Sequence, residues 1–174
     1  MIDVLHNPKT DEYLSLKEKI NGPYIPWYYH ETCTSDEQDG YTNNPIYQHM
    51  IMEGPNPTNG RFIPVPKSDL LGLCEKVLGQ IFSANKMNVR HIHRVCANVV
   101  HYYDGKPSVP HIDHEDIPHK NLIIYLSDFC DGQIESSDGF YKPLEDDIIT
   151  FSGYHSVYQP GPGDRRTVLV ATYS

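Results

Sequence analysis

The chain has 174 residues, 39% hydrophobic and 21% charged, which are the proportions of an ordinary single globular domain with enough length to bury a core. Its formal net charge of -9 gives no basic footprint to offset phosphates, which argues against a nucleic-acid partner. No apolar run approaches the ~18 residues needed to cross a bilayer, so no membrane partner is expected.

Residues 11–20 (DEYLSLKEKI) predict a short amphipathic helix. The aromatic stretch 23–30 (PYIPWYYH) reads as a strand. Residues 31–66 are polar and rich in Asn, Pro and Gly, and read as a long irregular loop with one helical turn near Ile46–Met52. Long loops of this kind often cover or bind a substrate. The strongest helical pattern is 68–82, with Ser68 as its N-cap and Leu70, Leu71, Cys74, Val77, Leu78 and Ile81 at helical spacing.

After Met87 the pattern changes to short β-rich runs at 89–103, 109–113, 121–127, 133–135, 147–151, 154–159 and 166–173. Asp104-Gly105, Asp131-Gly132, Asp138-Gly139 and Gly161-Pro162-Gly163 punctuate them. Helices followed by many short strands imply an α+β, mainly β domain, a sandwich or barrel with helices on one side. One domain spanning 1–174 is expected, helical and looped to about residue 85 and β-rich thereafter.

The cysteines, Cys33, Cys74, Cys96 and Cys130, form no CxxC pair, which argues against structural zinc. The start MIDVLHNPKTDEY lacks a basic-then-apolar leader, so free thiols in a reducing, cytoplasmic setting are expected.

The chemistry concentrates in VPHIDHED, 109–116. His111 and Asp113 are two apart, which on a strand puts both on one face. His155, in FSGYHSVYQ, opens a later β-rich run. Two imidazoles and one carboxylate make the facial triad that holds non-haem iron(II) and leaves positions for an oxo-acid and dioxygen. His91-x-His93, His114 and His119 have no downstream partner pattern and read as structural or solvent-facing.

Arg165 follows His155 by ten residues, in GDRRTVLVATY. Its guanidinium fork suits a carboxylate, and Thr167 shares its face on a strand. The pair is the expected grip on the distal carboxylate of 2-oxoglutarate. A slip of one residue would present Arg166 instead.

HID at 111–113, His155 and the GDRRT run resemble the 2-oxoglutarate/iron(II) dioxygenase superfamily, and within it the compact prolyl-hydroxylase-like proteins of phages and bacteria. The resemblance covers roughly Arg94 to Tyr173, including RVCANVVHYYDG before the His-x-Asp motif and YKPLEDDIITFSGYH running into the second histidine. It implies a double-stranded β-helix, or jelly roll, with N-terminal helices packed on its major sheet. It implies iron(II), 2-oxoglutarate and dioxygen, with ascorbate in support, and decarboxylation to succinate and CO2 coupled to hydroxylation. Tyr103 and Tyr125 stand where relatives place tyrosines near the cosubstrate. Asp113 points to hydroxylation rather than halogenation. A peptidyl proline in a peptide or protein is the expected substrate, with a small molecule as the alternative. The rival readings are an oxidative demethylase of nucleic acid and a cupin-like metal module without 2-oxoglutarate turnover.

Overall fold

In the computed structural model, residues 1–32, 40–42, 44–137 and 139–174 are described. Cys33 and the Asp138 half of one expected turn lie outside them. The chain runs β1 (Asp3–Leu5), α1 (Asp11–Asn21), β2 (Tyr28–His30), β3 (Ile46–Glu53), β4 (Val65–Pro66), α2 (Leu71–Ala84) and β5 (Ile92–His101). Then come β6 (Lys120–Tyr125), β7 (Ile134–Ser136), β8 (Gly139–Tyr141), β9 (Ile148–Phe151), β10 (His155–Val157) and β11 (Arg165–Tyr173).

The organising strand is β11. Val168, Leu169, Val170 and Ala171 are all buried, so both faces of the strand are covered, and it pairs antiparallel with β5 on one side and β6 on the other. Around it forms a major sheet in the order β1-β9-β6-β11-β5-β3-β2, with β4 paired to β3, while β10-β7-β8 form a small second sheet. The two sheets face each other without closing into a barrel. Between them lie Cys96, Ile123, Tyr125, Phe129, Ile134, Ile149, Phe151, Val168 and Val170.

The opposite face of the major sheet is covered by the helices. Tyr13, Leu16 and Ile20 of α1 and Cys74, Val77, Leu78, Ile81 and Phe82 of α2 pack on Val95, Ala97, Leu122, Ile124, Leu169 and Ala171. Each such side chain contributes about 1.5–3 kcal/mol relative to exposure, so this layer fixes the sheet that carries the site. Thr10 caps α1, its hydroxyl accepting from the Tyr13 N–H at 3.2 Å. The Tyr13 hydroxyl donates to Asp146 at 2.6 Å, tying α1 to the turn before β9.

The N-terminal third differs from the sequence expectation in three ways. Residues 46–53 form β3, a full strand against β5, where a helical turn was expected. A register shift between Met50 and Met52 breaks its alternation, and this hid the strand. A short β1 joins β9 at the sheet edge. Ser68 bonds the Leu70 N–H at 3.2 Å one turn early, and α2 begins at Leu71. Among the four thiols, Cys74, Cys96 and Cys130 are free. No helix among the described residues is long and apolar enough to cross a membrane.

Candidate functional site

The face of the major sheet that looks toward the small sheet is built in cross-strand rows. Arg94, Thr172 and Asn121 are aligned on β5, β11 and β6; Cys96, Val170 and Ile123 follow, then Asn98, Val168 and Tyr125. Arg166 opposite Val100 closes the series. Strand alternation puts every one of these side chains on the same face. Arg94, Asn98, Val100, Asn121, Ile123, Tyr125, Arg166, Val168 and Val170 of these rows line a cavity of about 100 Å³, together with His111, Asp113 and His155.

His111 lies in an irregular segment, joined to His155 of β10 by a reciprocal backbone bridge, N–H to carbonyl at 3.0 and 2.9 Å. Their rings stand 4.4 Å apart. In each, Nδ1 faces a backbone carbonyl two residues back, Val109 at 2.9 Å and Gly153 at 3.5 Å. Carbonyls can only accept, so Nδ1 carries the proton and Nε2 presents its lone pair, the arrangement of metal-binding histidines. Burial pushes the His155 imidazole down to about 4, against the pull of Asp113, so it is neutral at pH 7. Burial alone would raise the Asp113 carboxyl, but Arg94, then His155 and His111, outweigh it and hold the carboxyl well below the usual range.

The donor set therefore fits a divalent metal of the iron type: two imidazoles and one carboxylate. Asp113 Oδ2 is 3.9 Å from His155 Nε2. Two ligands at about 2.1 Å and right angles would be roughly 3 Å apart. Asp113 Oδ1 is drawn instead to Arg94. No group of three His, Cys, Asp or Glu among the described residues stands at metal-holding distances.

At the far end stands Arg166, 2% exposed. Its Nη1 donates to the carbonyls of Gly132 at 2.7 Å and Tyr158 at 2.8 Å, while Nε has no partner among the described residues. Burial pulls its pKa down, and its charge is met by carbonyl dipoles rather than a carboxylate. The buried Tyr125 lines the same cavity; burial raises its phenol and Arg166 opposes that shift.

The expectation for Arg165 and Thr167 is corrected by the register. Arg165 is exposed at the start of β11, on a shallow groove with Lys17 and Glu145 outside the cavity. Thr167 is 1% exposed but alternates with Val168, on the same face as Leu169 and Ala171, which pack under the helices. Tyr103 is 65% exposed and its ring lies outside the cavity. Its backbone belongs to a turn held by Gln159, whose Oε1 accepts from the N–H groups of Tyr103, Asp104 and Gly105 at 2.6, 3.0 and 3.2 Å. His114 bonds Thr172 Oγ1 at 2.9 Å, and His93 bonds Ser174 Oγ at 3.0 Å, in keeping with a structural role.

Arg94, Asn98 and Asn121 also line the cavity, and nothing in the local sequence marked them. The signal that could have found them was the β11 register, since alternation from Arg166 fixes their rows.

No family model matches the sequence, and no curated protein matches it. The fold does match solved structures. An oxidoreductase of the 2OG-Fe(II) oxygenase family from Burkholderia pseudomallei is similar with a TM-score of 0.63 at 16% identity, over 94% of this chain and 79% of that one. A prolyl hydroxylase from Trichoplax adhaerens, in complex with a hypoxia inducible factor peptide fragment, gives 0.59 at 12%, over 99% and 82%. A non-heme alpha ketoglutarate dependent epimerase from nogalamycin biosynthesis gives 0.60 at 11%, over 99% and 77%. At these identities the likeness speaks for the fold, and the chain thus has the double-stranded β-helix shared by the 2-oxoglutarate/iron(II) oxygenases, prolyl hydroxylases among them.

Proposed function

We propose that the protein is an iron(II)- and 2-oxoglutarate-dependent oxygenase that converts 2-oxoglutarate and dioxygen to succinate and CO2 while hydroxylating a second substrate. The observation that carries this reading is one cavity with two ends: His111, Asp113 and His155 at one, and at the other a buried arginine, Arg166, with no carboxylate partner among the described residues. Iron bound by the triad would supply the activation of dioxygen. His111 and His155 would bind through Nε2, and Asp113 would add the charge that favours a divalent ion. Arg166 and Tyr125 would hold the distal carboxylate, the guanidinium by charge-assisted hydrogen bonds. The largely apolar wall between them, Val170, Ile123 and Val168, would keep water from the chain of the cosubstrate. A peptidyl proline is the leading substrate class, on the resemblance of the sequence to the prolyl-hydroxylase-like branch. The fold alone does not select a substrate.

The test is succinate formation from 2-oxoglutarate by purified protein with iron(II), ascorbate and air, without and with proline-containing peptides. We expect succinate that requires both iron and oxygen. It should fall to background in Asp113→Ala, with an unchanged circular dichroism spectrum. Absence of succinate, together with no calorimetric binding of 2-oxoglutarate to the iron-loaded protein, would refute the proposal. Normal turnover in Asp113→Ala would refute the triad.

A further inference from the structure

We infer that Asn121 grips the oxo-acid head of 2-oxoglutarate, the end that meets the metal. This inference rests on the reading of function above. Asn121 is 1% exposed, lines the cavity, and has neither its amide NH2 nor its amide oxygen hydrogen-bonded to any described residue. A buried amide without partners is costly, and protein interiors rarely keep one. Leu at the same place would fill similar space without that cost. The sequence around it, NLIIYLS, is apolar enough to tolerate Leu. A buried amide without a protein partner at this point is accounted for by a ligand that uses it.

Its position identifies the end of that ligand. Asn121 shares a row with Arg94, through Thr172, and Arg94 holds Asp113. On its other side Asn121 pairs with Phe151, whose ring packs 4.9 Å from that of His155. Two separate links thus set Asn121 at the triad. Tyr125 lies four residues further along β6, roughly 13 Å at the rise of a strand, beside the Arg166 end. The distal carboxylate has a cationic partner there, and the oxo-acid head needs a donor here. A neutral amide suits that task. A carboxylate would repel the anionic head, and the Arg94 guanidinium in the same row is engaged by Asp113. The amide NH2 donates to the head, and its oxygen remains to accept from water.

The experiment is calorimetric binding to the iron(II)-loaded protein without oxygen, for the wild type, Asn121→Leu and Arg166→Ala. The probes are 2-oxoglutarate and 2-oxobutanoate, which keeps the head and lacks the distal carboxylate. Asn121→Leu should weaken both probes by the same factor, roughly tenfold or more. Its ligand-free Tm should be equal to or above that of the wild type, and its iron affinity within twofold. Arg166→Ala should weaken 2-oxoglutarate and leave 2-oxobutanoate within twofold. Binding of 2-oxoglutarate to Asn121→Leu within twofold of the wild type overturns the inference. So does a loss that appears only with a lower Tm or weaker iron binding, because Asn121 would then be structural. If the wild type itself binds no 2-oxoglutarate, it is the functional reading that fails.

Discussion

Arg165 and Arg166 are chemically identical and adjacent, yet one meets solvent and the other is among the most buried side chains in the molecule. The difference between them is a single step of strand alternation. Arg166→Ala should therefore raise the KM for 2-oxoglutarate roughly ten- to hundredfold, the range expected on losing a hydrogen bond to a charged group. Arg165→Ala should leave the KM within twofold. Steady-state succinate formation distinguishes them, and the opposite ranking would contradict the register. That His111, Asp113 and His155 would meet was legible in the sequence, because a two-residue spacing and a later histidine carry their own geometry, and the three line one cavity. The arginine was not. β11 is apolar on both faces, so its sequence has no polar-apolar alternation to say which face is which. Thr167 then misdirected the choice, since its hydroxyl is buried on the helix side.

At the scale of elements, the site depends on short turns as much as on strands. The turn at Asp131-Gly132 precedes β7 and supplies the Gly132 carbonyl that holds Arg166. Gly132 has φ +71°, and a Cβ there would stand 3.1 Å from both Arg166 Nη1 and the Phe129 ring. Gly132→Ala should cost about 1 kcal/mol in backbone strain and also push the guanidinium aside. Its signature is a KM for 2-oxoglutarate raised several-fold with kcat less affected; an unchanged KM would show that the arginine is held by Tyr158 alone. The Asp-Gly dipeptide was readable as a turn, but its service to an arginine 34 residues away was not. Likewise α1 and α2 were legible from helical spacing, whereas β3 was not, because its bulge breaks the period on which a strand is recognised.

For the molecule as a whole, two histidines couple the site to stability. Burial holds both His155 and His114 at about 4, against 6.5 for a free imidazole. Below pH 6.5 the unfolded chain takes up protons that the folded one refuses, so the histidine contribution to stability falls as pH drops from 6.5 to 4 and is constant below. His155 alone accounts for about 3 kcal/mol across that window. Urea midpoints of chelator-treated protein at neutral pH and near pH 4.5 should show the loss, and His155→Phe should reduce it. A flat profile would mean that His155 is protonated in the folded state. The layered architecture itself was readable from the order of helices and strands. What escaped was the share of the major sheet that comes from before residue 85, where β1 and β3 are joined by pairings distant in the sequence.

The ion pair between Arg94 and Asp113 has a bearing on how the protein matures. A buried carboxylate left alone would resist folding, and many metal sites solve this by waiting for their cation. Here the chain carries its own counter-ion, so the carboxylate is paired whether or not a cation is bound. A cation held by His111, Asp113 and His155 would share or contest that carboxylate with the arginine. Metals would then be sorted by how far their bond to the carboxylate repays that contest.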